Sequence, residues 1–568
     1  MSIDRKDEAG HRAAESPEYD AIVIGAGMSG MYQLYRLREL GLKTLVLEAG
    51  SGVGGTWYWN KYPGARFDSE SWSYGYSFNE EILKEWSWSE HFAGQPEIKR
   101  YCDLVADKLE LCDDIRFKSR VAEAQYLEDR NIWRVQLTDG TEFFSRYLIT
   151  GIGLLSIPTM PRFEGVNDFK GTWCHTGLWP EEGIDYDGKR VAVIGTGASG
   201  IQAVQEIAKT AKSLTIFQRR PNWCTPLHNS PISEQKMEDI RSRYPEIFKH
   251  CQTTAACFIH THDPRDARAV SKEERLAFWE ELYKTPGFGI WQGNFHQIHT
   301  DREINREISD FVADKIRQRV KDPKVAEQLI PKDHGFGTRR VPQETGYYEV
   351  FNQDNVELIP VLETPIERIT PTGIRTTERE FEFDVIIYAT GFDGITGAFD
   401  QIDFQGADGQ TLREEWKDGP TTFVGMMVKG FPNMFMVMGP HGALGNQPRS
   451  IEHNVDWISR IIGHMEEEGI TKVTPKPAAV DEWHDFVAEK AKGLLANEVD
   501  SWMTGVNMNV KGKEKRGLVR YSGTAPEFRA RCEAVITGGH RELEFTRPTI
   551  AFPLSNDFTG TKSKGTGQ

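Results

Sequence analysis

The chain has 568 residues, 39% of them apolar and 27% charged, with a formal net charge of −16. That length implies roughly two to four domains with ample buried cores, and no stretch approaches the ~20 apolar residues of a membrane span. The acid excess argues against a phosphate-backbone ligand, so neither membrane nor nucleic acid is an expected partner.

Residues 1–18 are polar and unpatterned and lack an apolar signal core, which predicts a disordered tail on a cytoplasmic protein. From Tyr19 the chain reads YDAIVIGAGMSGMYQLYRLRELGLKTLVLEAG, a strand, a glycine turn, a helix and a second strand. Gly25 permits the tight turn, Gly27 lets backbone amides approach a pyrophosphate, and Gly30 lets helix and strand pack closely. Glu48 ends the second strand, where a carboxylate accepts hydrogen bonds from ribose hydroxyls and repels a 2′-phosphate, so this cradle is expected to hold FAD or NAD.

FKGTWCHTGLWP, residues 169–180, is too irregular for a clean helix or strand and carries a histidine between two glycine loops. The second loop follows in KRVAVIGTGASGIQAVQEIAKTAKSLTIFQRR, with Gly195, Gly197 and Gly200 in the same three roles. Its second strand ends in Arg219 and Arg220 where the first copy has Glu48; two guanidinium groups there suit the 2′-phosphate of NADPH.

Residues 226–331 have charged helical spacing, as in SKEERLAFWEELYK, and predict a helical insertion. EFDVIIYATGFD, residues 382–393, is an apolar strand ending in Ala-Thr-Gly and is expected to pass back beside the first cradle's nucleotide. Seven cysteines, odd in number and with no CxxC pair, argue against a zinc site, a redox dithiol and a disulfide framework, and predict buried thiols. Two nucleotide cradles without a dithiol fit a flavin oxygenase better than a disulfide reductase.

These residues resemble the type I Baeyer-Villiger monooxygenases. Phe169, Gly171, His175, Trp179 and Pro180 match the family fingerprint FxGxxxHxxxWP, and Gly55, Trp57, Tyr62, Pro63, Gly64 and Asp68 match its pattern GxWxxxxYPGxxxD. The likeness runs from about Tyr19 to about Trp502.

The resemblance implies FAD and NADPH as cofactors and a ketone and O2 as substrates, with an ester or lactone formed through a C4a-peroxyflavin. It gives Arg340 the task of stabilising negative charge and Asp68 that of pairing with it. It places Arg339 on the 2′-phosphate beside Arg219 and Arg220, Trp502 against the nicotinamide ribose, and His175 at a hinge between domains. Thr56, Trp57, Tyr74 and Gln447 are expected at FAD, and Ser199 at NADP.

The expected fold is α/β, with two Rossmann-like dinucleotide-binding domains and a helical insertion. Its segments are a tail at 1–18, an FAD domain at 19–150 and 388–550, an NADP domain at 155–225 and 332–387, the insertion at 226–331 and a tail at 551–568. The chain is expected to be a monomer and its ketone bulky, cyclic or long-chain. Two alternatives stand beside this reading: oxygenation of nitrogen or sulfur in a soft nucleophile, and NADPH-dependent flavin reduction without oxygenation.

Overall fold

A computed structural model describes residues 17–547; the expected tails lie outside them, apart from residues 17 and 18. The first sheet is built on Tyr19–Ile24, which pairs in parallel with Thr44–Leu47 on one side and Glu142–Thr150 on the other. Almost every residue of these strands' shared region is buried, because helices cover one face while residues 121–143 and 399–436 cover the other. Glu142–Thr150 is long enough to serve two further partners on its other edge: its first half continues an antiparallel meander with Ile132–Leu137 and, beyond that, Val121–Leu127, and its last residues pair with Met434–Met436.

The second sheet is wholly parallel and five-stranded, in the order Val356–Pro360, Ser213–Gln218, Arg190–Ile194, Val385–Tyr388, Thr172–His175. Here one expectation fails. The apolar strand of residues 382–393 lies in this sheet, between the second cradle's strand and the fingerprint, and not beside the first cradle. Four consecutive buried residues carry no alternation that would assign them to one sheet or the other.

The two cradles are closed in the same way, each by its own strand end. Gly25 has φ +99°, and a Cβ there would lie 2.6 Å from the Gly151 carbonyl oxygen at the end of Glu142–Thr150. Gly195 has φ +111°, and a Cβ there would lie 2.4 Å from the carbonyl oxygen of Ala389, directly after Val385–Tyr388. Ala389-Thr390-Gly391 therefore does for the second turn what the Thr150-Gly151 end does for the first. Beyond it the chain returns to the first sheet through Asp403–Gln405, which pairs with Val121–Leu127.

The insertion is helical but is not a separate body. Helix Glu234–Thr253 sends Met237, Ile240, Tyr244 and Phe248 into the core of the first unit. Helices Lys272–Lys284 and Arg302–Arg319, capped by Ser271 and Asp301, send Trp279, Ile304, Ile308 and Val312 into the core of the second. Near the C-terminus, helix Gln447–Glu468 packs on helix Met28–Glu39, where the Tyr32 hydroxyl donates to Asp456 at 2.7 Å and Gln33 Nε2 to Ser459 Oγ at 3.2 Å. Six cysteines are buried as expected; Cys112, on a short turn, is exposed.

Candidate active site

A cavity of about 2170 Å³ runs between the two sheets and is lined by both glycine turns. Helices Met28–Glu39 and Ala198–Ile207 both begin at a glycine N-cap that offers no side-chain cap, so their first backbone N–H groups have no such partner. The insertion's four longer helices, by contrast, begin at serine or aspartate caps that accept from those groups. The third glycines allow the turns to sit on their helices: a Cβ at Gly30 would lie 1.7 Å from the Gly25 oxygen, and one at Gly200 2.3 Å from the Gly195 oxygen.

Glu48 is buried at the edge of the first turn, where its carboxylate accepts from the Ala26 amide at 2.7 Å and the Gly50 amide at 2.6 Å. It thus braces the turn as well as lining the cavity, each oxygen keeping a lone pair for a ribose hydroxyl. Gly55 approaches Gly27 so closely that a Cβ on it would lie 2.9 Å from the Gly27 Cα. Thr56 lines the cavity beside it, and Trp57 donates its indole N–H to the Tyr74 hydroxyl at 3.1 Å. Gln447 lines the same end from the first turn of its helix.

At the second turn Arg219, Arg220 and Arg339 converge, with Ser199 on the adjoining helix. Asp333 lies 3.3 Å from Arg220 and 3.2 Å from Arg339. Desolvation, and then the neighbouring cations Arg220 and Arg339, lower the pKa of Arg219. Three guanidinium groups with one carboxylate among them, paired to two of the three, are an under-neutralised positive cluster, the electrostatic requirement of a phosphate site.

Between the turns runs the segment 55–68, and the structure gives it a job that spacing alone does not reveal: it touches both units. The Tyr62 hydroxyl donates to Gln202 Oε1 at 2.8 Å, and Gln202 Nε2 donates to the Arg66 carbonyl at 3.1 Å. Gly64, at φ +81°, lies against the Gln202 carbonyl of the same helix. At the segment's end the buried Asp68 Oδ2 accepts from Arg340 Nη2 at 2.9 Å and from the Gln343 amide at 3.2 Å. Asn222 donates to the Arg340 carbonyl at 3.1 Å, and the Phe288 ring lies 5.9 Å from the guanidinium carbon. Arg340 is thus held through backbone, ion pair and ring, while its buried Nη1 has no protein partner.

The fingerprint lies on the far edge of the second sheet. Phe169 and Trp179 are buried, in different cores, with Gly171 against the Asp384 carbonyl and Pro180 just beyond Trp179. The Gly177 amide donates to His175 Nδ1 at 3.0 Å, which puts the proton of a neutral ring on Nε2, facing the Gly391 backbone. Burial lowers the pKa of His175 to about 4, so it stays neutral in ordinary buffers and acts as a spacer between the fingerprint and the crossing segment, residues 389–402, that leads back to the first sheet. Trp502 lines the cavity beside Gly394 on that same segment. Lys513 fastens the Trp502 loop there, donating to Asp393 at 2.8 Å and Asp400 at 2.7 Å. Gln202, Asn222, Phe288 and Lys513 were not foreseen; their partners are distant in sequence, and no spacing marks them.

Both nucleotides fit. Two uncapped helix N-termini suit two pyrophosphates, Glu48 suits an unphosphorylated ribose, and the three arginines suit a 2′-phosphate. The family model described as pyridine nucleotide-disulphide oxidoreductase matches residues 22–274. A 2-oxo-Δ3-4,5,5-trimethylcyclopentenylacetyl-CoA monooxygenase of Pseudomonas putida is 46% identical over 94% of this chain and 99% of its own length. A Baeyer-Villiger monooxygenase of Pseudooceanicola batsensis is 40% identical over 93% of this chain and 96% of its own. A crystal structure of OTEMO in complex with FAD and NADP superposes with a TM-score of 0.90 at 45% identity, covering 94% of this chain and all of the other. With two nucleotide cradles and likeness along nearly its whole length, the chain belongs to the FAD-containing, NADPH-dependent Baeyer-Villiger monooxygenases.

Proposed function

We propose that the protein inserts one atom of O2 beside the carbonyl of a bulky cyclic ketone at the expense of NADPH, giving a lactone. The observation that carries this reading is Arg340: one edge of its guanidinium is tied to Asp68, while Nη1 is buried beside the cavity without a protein acceptor. A cation fixed in that way stabilises an oxyanion without rearranging as the charge develops. A cyclic ketone is supported by the relative named for a cyclopentenyl substrate.

Bound FAD, reduced by NADPH, supplies the oxygen-activating chemistry. Arg340 would hold the negative charge that this chemistry develops beside the flavin and on the substrate's carbonyl oxygen. Asp68, placed by its second bond to the Gln343 amide, keeps that guanidinium from swinging away. Phe288 and Trp291, whose ring centroids are 5.5 Å apart, and Leu444 give the cavity an apolar wall against water. Arg219, Arg220 and Arg339 retain the nicotinamide nucleotide by its phosphate. His175 couples the fingerprint to the crossing segment and exchanges no proton with substrate.

The test is NADPH oxidation under labelled oxygen across a panel of cyclic and linear ketones, with products identified by mass. Labelled esters or lactones support the reading. Sulfoxides or N-oxides without any ester overturn it in favour of heteroatom oxygenation, and peroxide alone overturns it in favour of an oxidase.

A further inference from the structure

One cation on the cavity wall has no part in the scheme above. The extended segment Val519–Tyr521 runs beside the loop at 441–443, where the His441 amide donates to the Val519 carbonyl at 3.1 Å and the Tyr521 amide to the Gly442 carbonyl at 3.3 Å. Side chains alternate along it. Val519 and Tyr521 are buried, and Tyr521 stacks on Trp483 and Phe486. Arg520, between them, lines the cavity that also holds Arg340, with Tyr521 at its border.

Arg520 donates from Nε to the Met503 carbonyl at 3.3 Å, and among the described residues no carboxylate pairs with it. Burial alone pulls its pKa down to about 10; no neighbouring carboxylate raises it. His262, His296 and His299 form a triangle on the same wall, with ring centroids 5.7–6.3 Å apart. Burial lowers the pKa of His299 to about 3 and also lowers that of His262, so these two rings add no charge at neutral pH. A desolvated guanidinium without a counter-ion is costly, and a substrate carboxylate relieves that cost with paired, charge-assisted hydrogen bonds.

We infer that Arg520 is the anion anchor of the ketone site and that the substrate is an oxo acid: a cyclic ketone bearing a carboxylate that pairs with Arg520 while its carbonyl meets Arg340. This rests on the oxygenase reading and goes beyond it by naming a charged substrate and the residue that selects it. A neutral ketone of the same shape leaves the cation uncompensated and is selected against.

The experiment compares 4-oxocyclohexanecarboxylate and 3-oxocyclopentanecarboxylate with their methyl esters, using the FAD-loaded enzyme and saturating NADPH. The expected kcat/KM is at least tenfold higher for each acid, carried by KM. The acid-to-ester ratio falls to about one in Arg520→Met and is partly kept in Arg520→Lys. Cyclohexanecarboxylate, which cannot react, provides a second readout by calorimetry: it binds the wild type and binds Arg520→Met at least tenfold more weakly. A wild-type ratio at or below one, a ratio unchanged in Arg520→Met, or a variant that raises the KM for NADPH instead overturns the inference. Esters oxygenated as well as acids sink this inference alone, whereas no oxygenated product from any ketone sinks the oxygenase reading with it.

Discussion

Of the three arginines at the second turn, Arg219 is the one whose charge has least to do within the protein. Arg220 and Arg339 both reach Asp333, and Arg339 also donates to the Asp500 carbonyl at 3.1 Å, whereas Arg219 has no ion pair among the described residues. Replacing Arg219 by alanine should therefore remove affinity for a phosphate without removing a structural contact. A charge-assisted hydrogen bond is worth about 1.5–3 kcal/mol, and sharing the phosphate with Arg220 and Arg339 favours the lower end of that range. A loss of about 1.5–2 kcal/mol corresponds to a ten- to thirtyfold rise in the KM for NADPH. The KM for NADH should not move, because that cofactor carries no 2′-phosphate. The melting temperature should stay level or rise slightly, since two like charges lose a neighbour. The assay is steady-state oxidation of both cofactors over a range of ionic strengths, with a thermal melt of each protein. Equal rises for NADPH and NADH, or a fall of several degrees in melting temperature, would refute the assignment.

Further outcomes follow from other contacts. Arg340→Lys keeps a charge but loses the planar guanidinium fixed by its bond to Asp68, so oxygenated product should fall about 10²- to 10³-fold while NADPH is still consumed; product yield per NADPH measures it. Gly64→Ala forces a Cβ to within 2.6 Å of the Gln202 carbonyl at φ +81°, and should cost about 1–3 kcal/mol of stability, seen in denaturant melts. His453 is held near pKa 3 by burial, far below the ordinary histidine value near 6.5, so between those limits the unfolded chain binds a proton that the folded chain refuses. Stability from this site is complete above about pH 6.5 and is lost as pH falls through that window. His453→Phe should flatten the acid side of the stability profile by up to about 1.4 kcal/mol per pH unit, and an unchanged slope would refute the assignment.

The two cradles were legible in the sequence because their signal is local. Gly25, Gly27 and Gly30 need only one another, a strand before and a helix after, and the exchange of Glu48 for Arg219 and Arg220 lies at a fixed place in each copy. The strand at 385–388 was misplaced because a short, fully buried run fits either parallel sheet; what decides its place is the partner, Arg190–Ile194, nearly two hundred residues away. The pairing of Asp68 with Arg340 came from family resemblance, since 272 positions separate them and no pattern in the residues joins them. Nothing foretold Tyr62 on Gln202 or the inward turn of Arg520, because a hydroxyl or a guanidinium acquires its role only when the fold chooses its neighbour.

The crossing at Ala389-Thr390-Gly391 has a consequence for how the molecule can be cut. Every strand of the second sheet falls between Thr172 and Tyr388, one unbroken run, while the first sheet is stitched from pieces on either side of it. Thr172–His175 and Val385–Tyr388 are neighbours in that sheet, so the run begins and ends on adjoining ribbons. It is carried like a cartridge in a frame, but not a loose one: helix Glu234–Thr253, inside the run, belongs to the frame's core, so a gene cut at the two adjoining ribbons would carry part of the frame away with the cartridge.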